Sequence, residues 1–203
     1  QWLASHPDIQ GVREIVEVNE REMHTISNFQ SLPEVIALAE IPEYRYTETE
    51  IRQSLSLVLN GIQDPGNLGT ILRVADWFGI RYVFCDMDCA GAFSPKCVQA
   101  SMGAVFRVKT IYTNLVGLLK KFSSPEFHCY GTFLNGENIY KTELSAKGFI
   151  IMGNEGRGIC PELESCIDSK LTIPSFADST YSTESLNVGV ATGIILSEFK
   201  RNN

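Results

Sequence analysis

The chain predicts an α/β fold, a mostly parallel sheet with helices on both faces. Two observations carry that expectation. Several short runs are apolar throughout, as in Leu55–Leu59, Ile80–Cys85 and Phe149–Met152, and strands without polar alternation are buried on both faces. Between them lie stretches with helical spacing: Leu68, Ile71, Leu72, Ala75 and Phe78 recur on one face. Alternation of the two kinds marks parallel strands joined by crossover helices. A chain of 203 residues can bury a real core, and one main domain plus a smaller piece is expected.

Each element follows from its local pattern. Residues 1–40 read as the end of a small α/β unit, with strands at Val12–Val18 and Val35–Ala39. Between them Asn19 caps a short helix that runs to Ile26. Ile41–Thr47 is polar and interrupted by proline, which makes it a linker. The chain therefore divides into residues 1–46 and residues 47–203. In the second part Leu55–Leu59 is a strand ended by Asn60-Gly61. Leu68–Phe78 is a helix with Gly79 placed as its C′ residue. Strands are expected at Ile80–Cys85, Val105–Val108, Phe127–Leu134, Phe149–Met152 and Leu171–Ile173. Helices are expected at Pro95–Met102, Leu115–Phe122 and Leu186–Lys200, the last with a stripe of Leu186, Val190, Ile194 and Ser197.

Composition narrows the function. A net charge of −7 argues against indiscriminate nucleic-acid binding by charge alone. Recognition of RNA would need the few Arg and Lys residues gathered on one face. No apolar run is long enough to span a bilayer, and no signal peptide is read; a cytoplasmic protein is expected. The chain starts at Gln1-Trp2 without an initiator methionine, so its start is read as an edge. None of the six cysteines forms a Cys-x-x-Cys pair, and reduced, buried thiols are expected. The three histidines, His6, His24 and His128, show no ligand spacing, and no metal is expected.

Three segments carry chemistry. In Asp64–Gly79, Asp64-Pro65-Gly66 reads as a turn, Asn67 as a helix cap and Gly69 as a point of close backbone approach. Arg73 lies between apolar positions of this helix, where a guanidinium calls for a phosphate or carboxylate. Gly153–Ile159 follows a strand with the spacing Gly-x-x-Gly-x-Gly. That is neither a P-loop nor a dinucleotide fingerprint, which weakens the rival reading of a Rossmann-like nucleotide binder. It does lie where parallel sheets hold ligands, beyond a strand's carboxyl end. The third segment, Leu171–Ala191, runs from a strand through a hydroxyl-rich loop into a helix. Ser185 there could be a cap and Asn187 a first-turn residue, beside backbone amides that can hold a ligand.

Together, Asn67…Arg73, Gly153-Asn-Glu-Gly156 and Ile173-Pro…Ser185-Leu-Asn187 resemble the three motifs of the SpoU (TrmH-type) RNA ribose methyltransferases of the SPOUT superfamily. The likeness covers Leu55 to the C-terminus. Residues 1–40 resemble more weakly the end of the small RNA-binding domain that often precedes this fold, with its front half missing. The resemblance implies a deep C-terminal trefoil knot, S-adenosylmethionine as cofactor, a homodimer, and methyl transfer to a ribose 2′-hydroxyl of tRNA or rRNA. It places Asn67, Arg73, Glu155, Ser185 and Asn187 in the catalytic site. Arg73 would bind phosphate and steer the hydroxyl, in preference to acting as base. Asn67 would fix Arg73 or the ribose, and Glu155 would orient Arg73 or Asn67. Ser185 and Asn187 would position the loop and the ribose. Leu134, Gly153, Gly156, Ile173 and Leu186 would line the cofactor site. A non-catalytic RNA-binding protein on the same scaffold is the alternative.

Overall fold

A computed structural model describes residues 11–27, 29, 31–177 and 184–201 of the chain. The hydroxyl-rich stretch 178–183 and the first ten residues, His6 among them, lie outside the described residues. The chain forms two compact units, Gln1–Pro42 and Glu43–Asn203.

In the first unit helix α1 spans Glu20–Ile26. Its start is a full capping box: the Asn19 side chain accepts the Glu22 N–H, and the Glu22 carboxylate accepts the Asn19 N–H. The two strands expected around it do not form. Val12–Val18 and Val35–Ala39 carry no sheet assignment, and Leu38 is 100% exposed. Their apolar residues favour extended backbone, but a strand needs a neighbour to pair with, and none exists among the described residues of this unit.

The second unit is a six-stranded sheet, all of whose pairings are parallel. Its strands are β1 (Leu55–Leu59), β2 (Tyr82–Cys85), β3 (Lys109–Tyr112), β4 (His128–Asn138), β5 (Gly148–Met152) and β6 (Ser169–Thr172). They lie in the order β3-β2-β1-β5-β4-β6. The central strands β1, β2 and β5 are buried at every position, as uninterrupted apolar runs require. Alternate residues face opposite layers. Leu57, Leu59, Ile150 and Met152 face the layer built by α3 (Pro65–Trp77), α4 (Pro95–Ser101) and the last helix α7 (Val188–Arg201). Val58, Phe149 and Ile151 face α2 (Glu48–Arg52), α5 (Leu115–Phe122) and α6 (Pro161–Glu164). There Phe149 meets Phe84, Phe122 and Phe127 at 5.8, 5.5 and 4.9 Å in near-perpendicular pairs, a geometry aromatic quadrupoles favour. Tyr46, at the end of the expected linker, packs edge-on against Phe84 at 5.3 Å.

Several local expectations are corrected. The helix expected from Leu68 begins at Pro65, so Asp64 is its cap, and its carboxylate accepts the Asn67 N–H at 2.8 Å. Asp64-Pro65 is the usual cap-plus-first-residue arrangement, and Asn67 sits one turn inside. Gly79 closes the helix as expected, with φ +68°. Its N–H reaches the Asp76 carbonyl and the Ile80 N–H the Ala75 carbonyl, a Schellman ending. Val105–Val108 is not a strand; Ala104–Phe106 is a 3-10 turn and β3 starts at Lys109. Left-handed Met102 and Gly103 turn the chain there, and Val105 and Val108 reach the core from a tight coil.

The stripe expected on the last helix is on the wrong side. The core takes Val188, Gly189, Thr192, Ile195, Leu196 and Phe199, whereas Val190 is exposed. The reason is close helix contact: a β-carbon on Gly189 would stand 2.8 Å from the Thr70 methyl group of α3. Of the cysteines, Cys85, Cys89, Cys97 and Cys129 are buried, Cys160 and Cys166 half-buried, and all six are free thiols. Burial pushes the Cys97 thiol up to about 11 and that of Cys129 to about 12, so both stay protonated at neutral pH and neither is a ready nucleophile. No helix among the described residues is long and apolar enough to cross a membrane.

Candidate active site

The strand order reverses direction between β1 and β5. Parallel sheets hold ligands beyond the carboxyl ends of strands at such a point, and the chemistry-bearing segments emerge there. The connection from β1 to α3 is pinned first. The Asn60 side chain donates to Asp86 at 2.6 Å and accepts the Cys160 N–H at 2.8 Å. Asp86 also accepts the Gly61 N–H at 3.1 Å. The Asn154 side chain donates to the Gly61 carbonyl at 2.7 Å.

The glycine-rich loop after β5 is a closed turn. Asn154 and Gly158 exchange both backbone bonds, at 3.0 and 2.8 Å, and the Asn154 Oδ1 accepts the N–H groups of Gly156 and Arg157. Gly153 is required at its place: a β-carbon there would fall 2.4 Å from the Gly158 carbonyl carbon. Gly69 meets its expectation in the same way, since a β-carbon would lie 2.6 Å from the Cys97 carbonyl oxygen of α4.

This scaffold brings the three segments together in one chain of hydrogen bonds. Asn67 Nδ2 donates to Glu155 Oε1 at 2.6 Å. Asn187 Nδ2 donates to Asn67 Oδ1 at 2.9 Å. Asn187 Oδ1 accepts the N–H groups of Gly189 at 3.0 Å and Val190 at 3.3 Å. Asn187, rather than Ser185, is thus the cap of α7. The chain has a direction. A carboxylate that only accepts stands at one end, and backbone N–H groups that only donate stand at the other. The two carboxamides between them satisfy both ends in a single orientation.

The other expected residues are placed differently. Arg73 is exposed on α3, about 9 Å further along the helix than Asn67, and does not join the chain. Glu155 bonds Asn67, which resolves the choice between Asn67 and Arg73 as its partner. The acid one turn beyond Arg73, Asp76, is held by Arg107 through three bonds of 2.7, 2.9 and 3.1 Å. Arg73 has no acid partner among the described residues. Ser185 is exposed and lies just before the Asn187 cap.

The candidate cofactor residues lie at the ends of three adjacent strands. Gly153 follows β5, Leu134 stands in the distal half of β4, and Ile173 follows β6. The Thr172 hydroxyl donates to the Leu134 carbonyl at 3.1 Å, which ties two of these ends together. The distal half of β4 shifts register against β6 between Thr132 and Glu137. Gly136 makes that crossing possible, since a β-carbon on it would lie 2.6 Å from the Lys170 carbonyl oxygen. Leu134 is 75% exposed and Leu186 47%, so each turns an apolar face outward. Gly156 is open, with nothing nearer a β-carbon than 3.6 Å. Apolar walls beside backbone ends suit a flat heterocycle with a polar edge. Asp64, expected as a turn residue, holds the cap role expected of Asn67; Gly136 is not singled out by the motifs. No group of residues fit to hold a metal ion occurs among the described residues.

Comparison with known proteins agrees with this fold. The profile of the SpoU rRNA Methylase family matches residues 54–197. The 23S rRNA (guanosine-2′-O-)-methyltransferase RlmB of Neisseria meningitidis is 34% identical over 149 residues, 72% of this chain and 58% of its own length. A TrmH-family protein of Porphyromonas gingivalis superposes with a TM-score of 0.80 at 39% identity, covering 98% of this chain and 80% of that one. An rRNA methyltransferase from Sinorhizobium meliloti, solved with AdoMet bound, superposes with a TM-score of 0.67 at 30% identity, covering 79% of this chain and 62% of that one. The chain thus spans less than two thirds of the Neisseria and Sinorhizobium proteins. A six-stranded parallel sheet whose end gathers Asn67, Glu155 and Asn187 into one bonded chain, within a matched span that takes in all three segments, places this protein in the SpoU rRNA methylase family.

Proposed function

We propose that the chain is an S-adenosylmethionine-dependent RNA methyltransferase that methylates a ribose 2′-hydroxyl of rRNA or tRNA. The observation that carries this reading is the hydrogen-bonded chain Glu155–Asn67–Asn187, which unites three segments far apart in sequence. The relatives named above point to the same reaction, and the Sinorhizobium neighbour to the same cofactor.

The cofactor supplies an electrophilic methyl group. Leu134, Ile173 and Leu186 would provide its apolar walls, and Gly153 and Gly156 the close backbone. The protein's own task is alignment, because in-line displacement depends steeply on the position of the attacking oxygen. Arg73, left without an acid partner, binds the phosphate beside the target ribose and steers the hydroxyl. A guanidinium has no lone pair free to take a proton and is a poor base, so its role is electrostatic. Asn67 holds the sugar at a fixed angle, with its amide set by Glu155 and Asn187, and Ser185 closes the loop over it.

The remaining parts of the reading follow. The trefoil knot belongs to the C-terminal part of the second unit, and residues 1–46 are part of an RNA substrate-binding domain. Two copies pair through the outer faces of α3 and α7. The apolar residues there support this: Trp77 is 85% exposed and Val190 53%, and Phe78, Tyr140 and Ile194 border the same cleft. Trp77→Glu is expected to shift the protein from dimer to monomer in analytical ultracentrifugation; an unchanged sedimentation coefficient would remove this surface from the interface.

The central test uses unmodified rRNA and tRNA with methyl-labelled cofactor. Label retained in alkali-resistant dinucleotides is the expected result. RNA binding with no transfer, by protein that binds the cofactor, would favour the non-catalytic alternative instead.

A further inference from the structure

An acidic chain that acts on RNA must hold a polyanion, and the ion pairs show where that is feasible. In the second unit three acids beside the candidate site are already engaged, while Glu184, next to Ser185, is exposed. Asp76 is bound by Arg107, and Asp64 by Lys96 at 2.6 Å. Glu155 is occupied by the Asn67 amide. Two cations border the same short connection from β1 to α3. Lys96 touches its end: a β-carbon on Gly66 would stand 3.2 Å from the Lys96 Cε. Arg157 touches its start: a β-carbon on Gly61 would stand 3.9 Å from the Arg157 Nη2. Asn67 lies just beyond that connection, in the first turn of α3.

The two cations are presented differently. Arg157 is exposed, and its backbone is fixed by the bond from its N–H to Asn154 at 3.0 Å. Its guanidinium has no acid partner among the described residues, and Glu155, two residues earlier, is turned to Asn67. Lys96 is 63% exposed on its side chain and spends one donor on Asp64. An ammonium carries three donors, so two remain for a phosphate. An exposed ion pair of this kind is weak and easily shared with a third charge. Asp64 in turn keeps its other oxygen on the Asn67 N–H, so the lysine is tied to the helix start that carries the site.

We propose that Lys96 and Arg157 are RNA-backbone contacts beside the target nucleotide, at the connection that leads to Asn67, and extend the phosphate site begun by Arg73. This rests on the methyltransferase reading above. The ligand is a single-stranded RNA segment held by its phosphates, and these two residues carry no base specificity.

The test compares Lys96→Gln, Arg157→Gln and the double variant with Lys147→Gln, a control at the amino end of β5. RNA affinity is measured by filter binding over a salt series, and cofactor affinity by calorimetry without RNA. Each site variant is expected to raise the KM for RNA several-fold, with kcat at saturating RNA and cofactor affinity nearly unchanged. The slope of log affinity against log salt should fall by about 0.7 per lost contact on single-stranded RNA. Lys96→Arg and Arg157→Lys should restore most of it. A double variant with the slope of wild type, or a control that loses as much as the site variants, overturns the proposal and leaves the methyltransferase reading standing. Wild-type protein that binds neither cofactor nor RNA overturns both.

Discussion

Replacing Arg73 with alanine is expected to lower methyl transfer by about 10³-fold, the scale seen when one preorganised electrostatic contact to a reacting group is removed. Cofactor affinity should be nearly unchanged. The structure separates these effects. Arg73 is exposed on α3 and makes no ion pair that the fold relies on, so its loss buries no orphaned group. Its natural partner on the helix would be Asp76, three residues on. Arg107 takes that carboxylate in a bidentate grip, with Nη2 2.7 Å from Oδ2 and Nε 3.1 Å from Oδ1. The guanidinium of Arg73 is therefore free to meet a phosphate. Single-turnover transfer with saturating cofactor measures the rate, and calorimetry the affinity. A variant that turns over at the wild-type rate would remove Arg73 from the mechanism.

Asn67→Asp is expected to cost about 10²-fold in methyl transfer, the scale of an ångström-sized misplacement. The new carboxylate would face Glu155 where a 2.6 Å donor bond now stands. An acceptor would meet an acceptor there, and like charges at that distance repel, so the Asn67–Asn187 geometry opens. Asn67→Ala removes both bonds but adds no repulsion, and its deficit should be smaller. Single-turnover transfer with saturating cofactor measures both. An Asp variant no slower than the Ala variant would show that the direction of the chain is irrelevant to catalysis.

The sheet was legible because burial on both faces leaves a plain mark. β1, β5 and helix α5 fall on their expected residues or within one of them. What periodicity could not choose was the face of a helix rich in small residues. In α7 the apolar stripe Leu186, Val190 and Ile194 is the natural reading, yet the core takes Gly189 and Thr192 beside it. A glycine is invisible to a hydrophobic pattern, but it lets Thr70 of α3 approach to a distance no β-carbon permits. The strands expected at Val12–Val18 and Val35–Ala39 failed for the opposite reason. Their pattern is correct locally, but a ladder belongs to two segments, and one segment cannot specify it.

The candidate site divides in the same way. Residue types and spacing marked the three segments, and the resemblance to the SpoU motifs singled out Asn67, Glu155 and Asn187 within them. Local chemistry also determined where the helix of the first motif ends, since Gly79 alone can adopt the required positive φ. Only the tertiary structure decided who binds whom across the site: Glu155 to Asn67 instead of Arg73, Asn187 to Asn67, and Asp76 claimed by Arg107. These partners lie 88, 120 and 31 residues apart. Hydrogen bonds of that kind depend on atoms placed by the whole sheet, and a linear pattern contains the groups but not the distances between them.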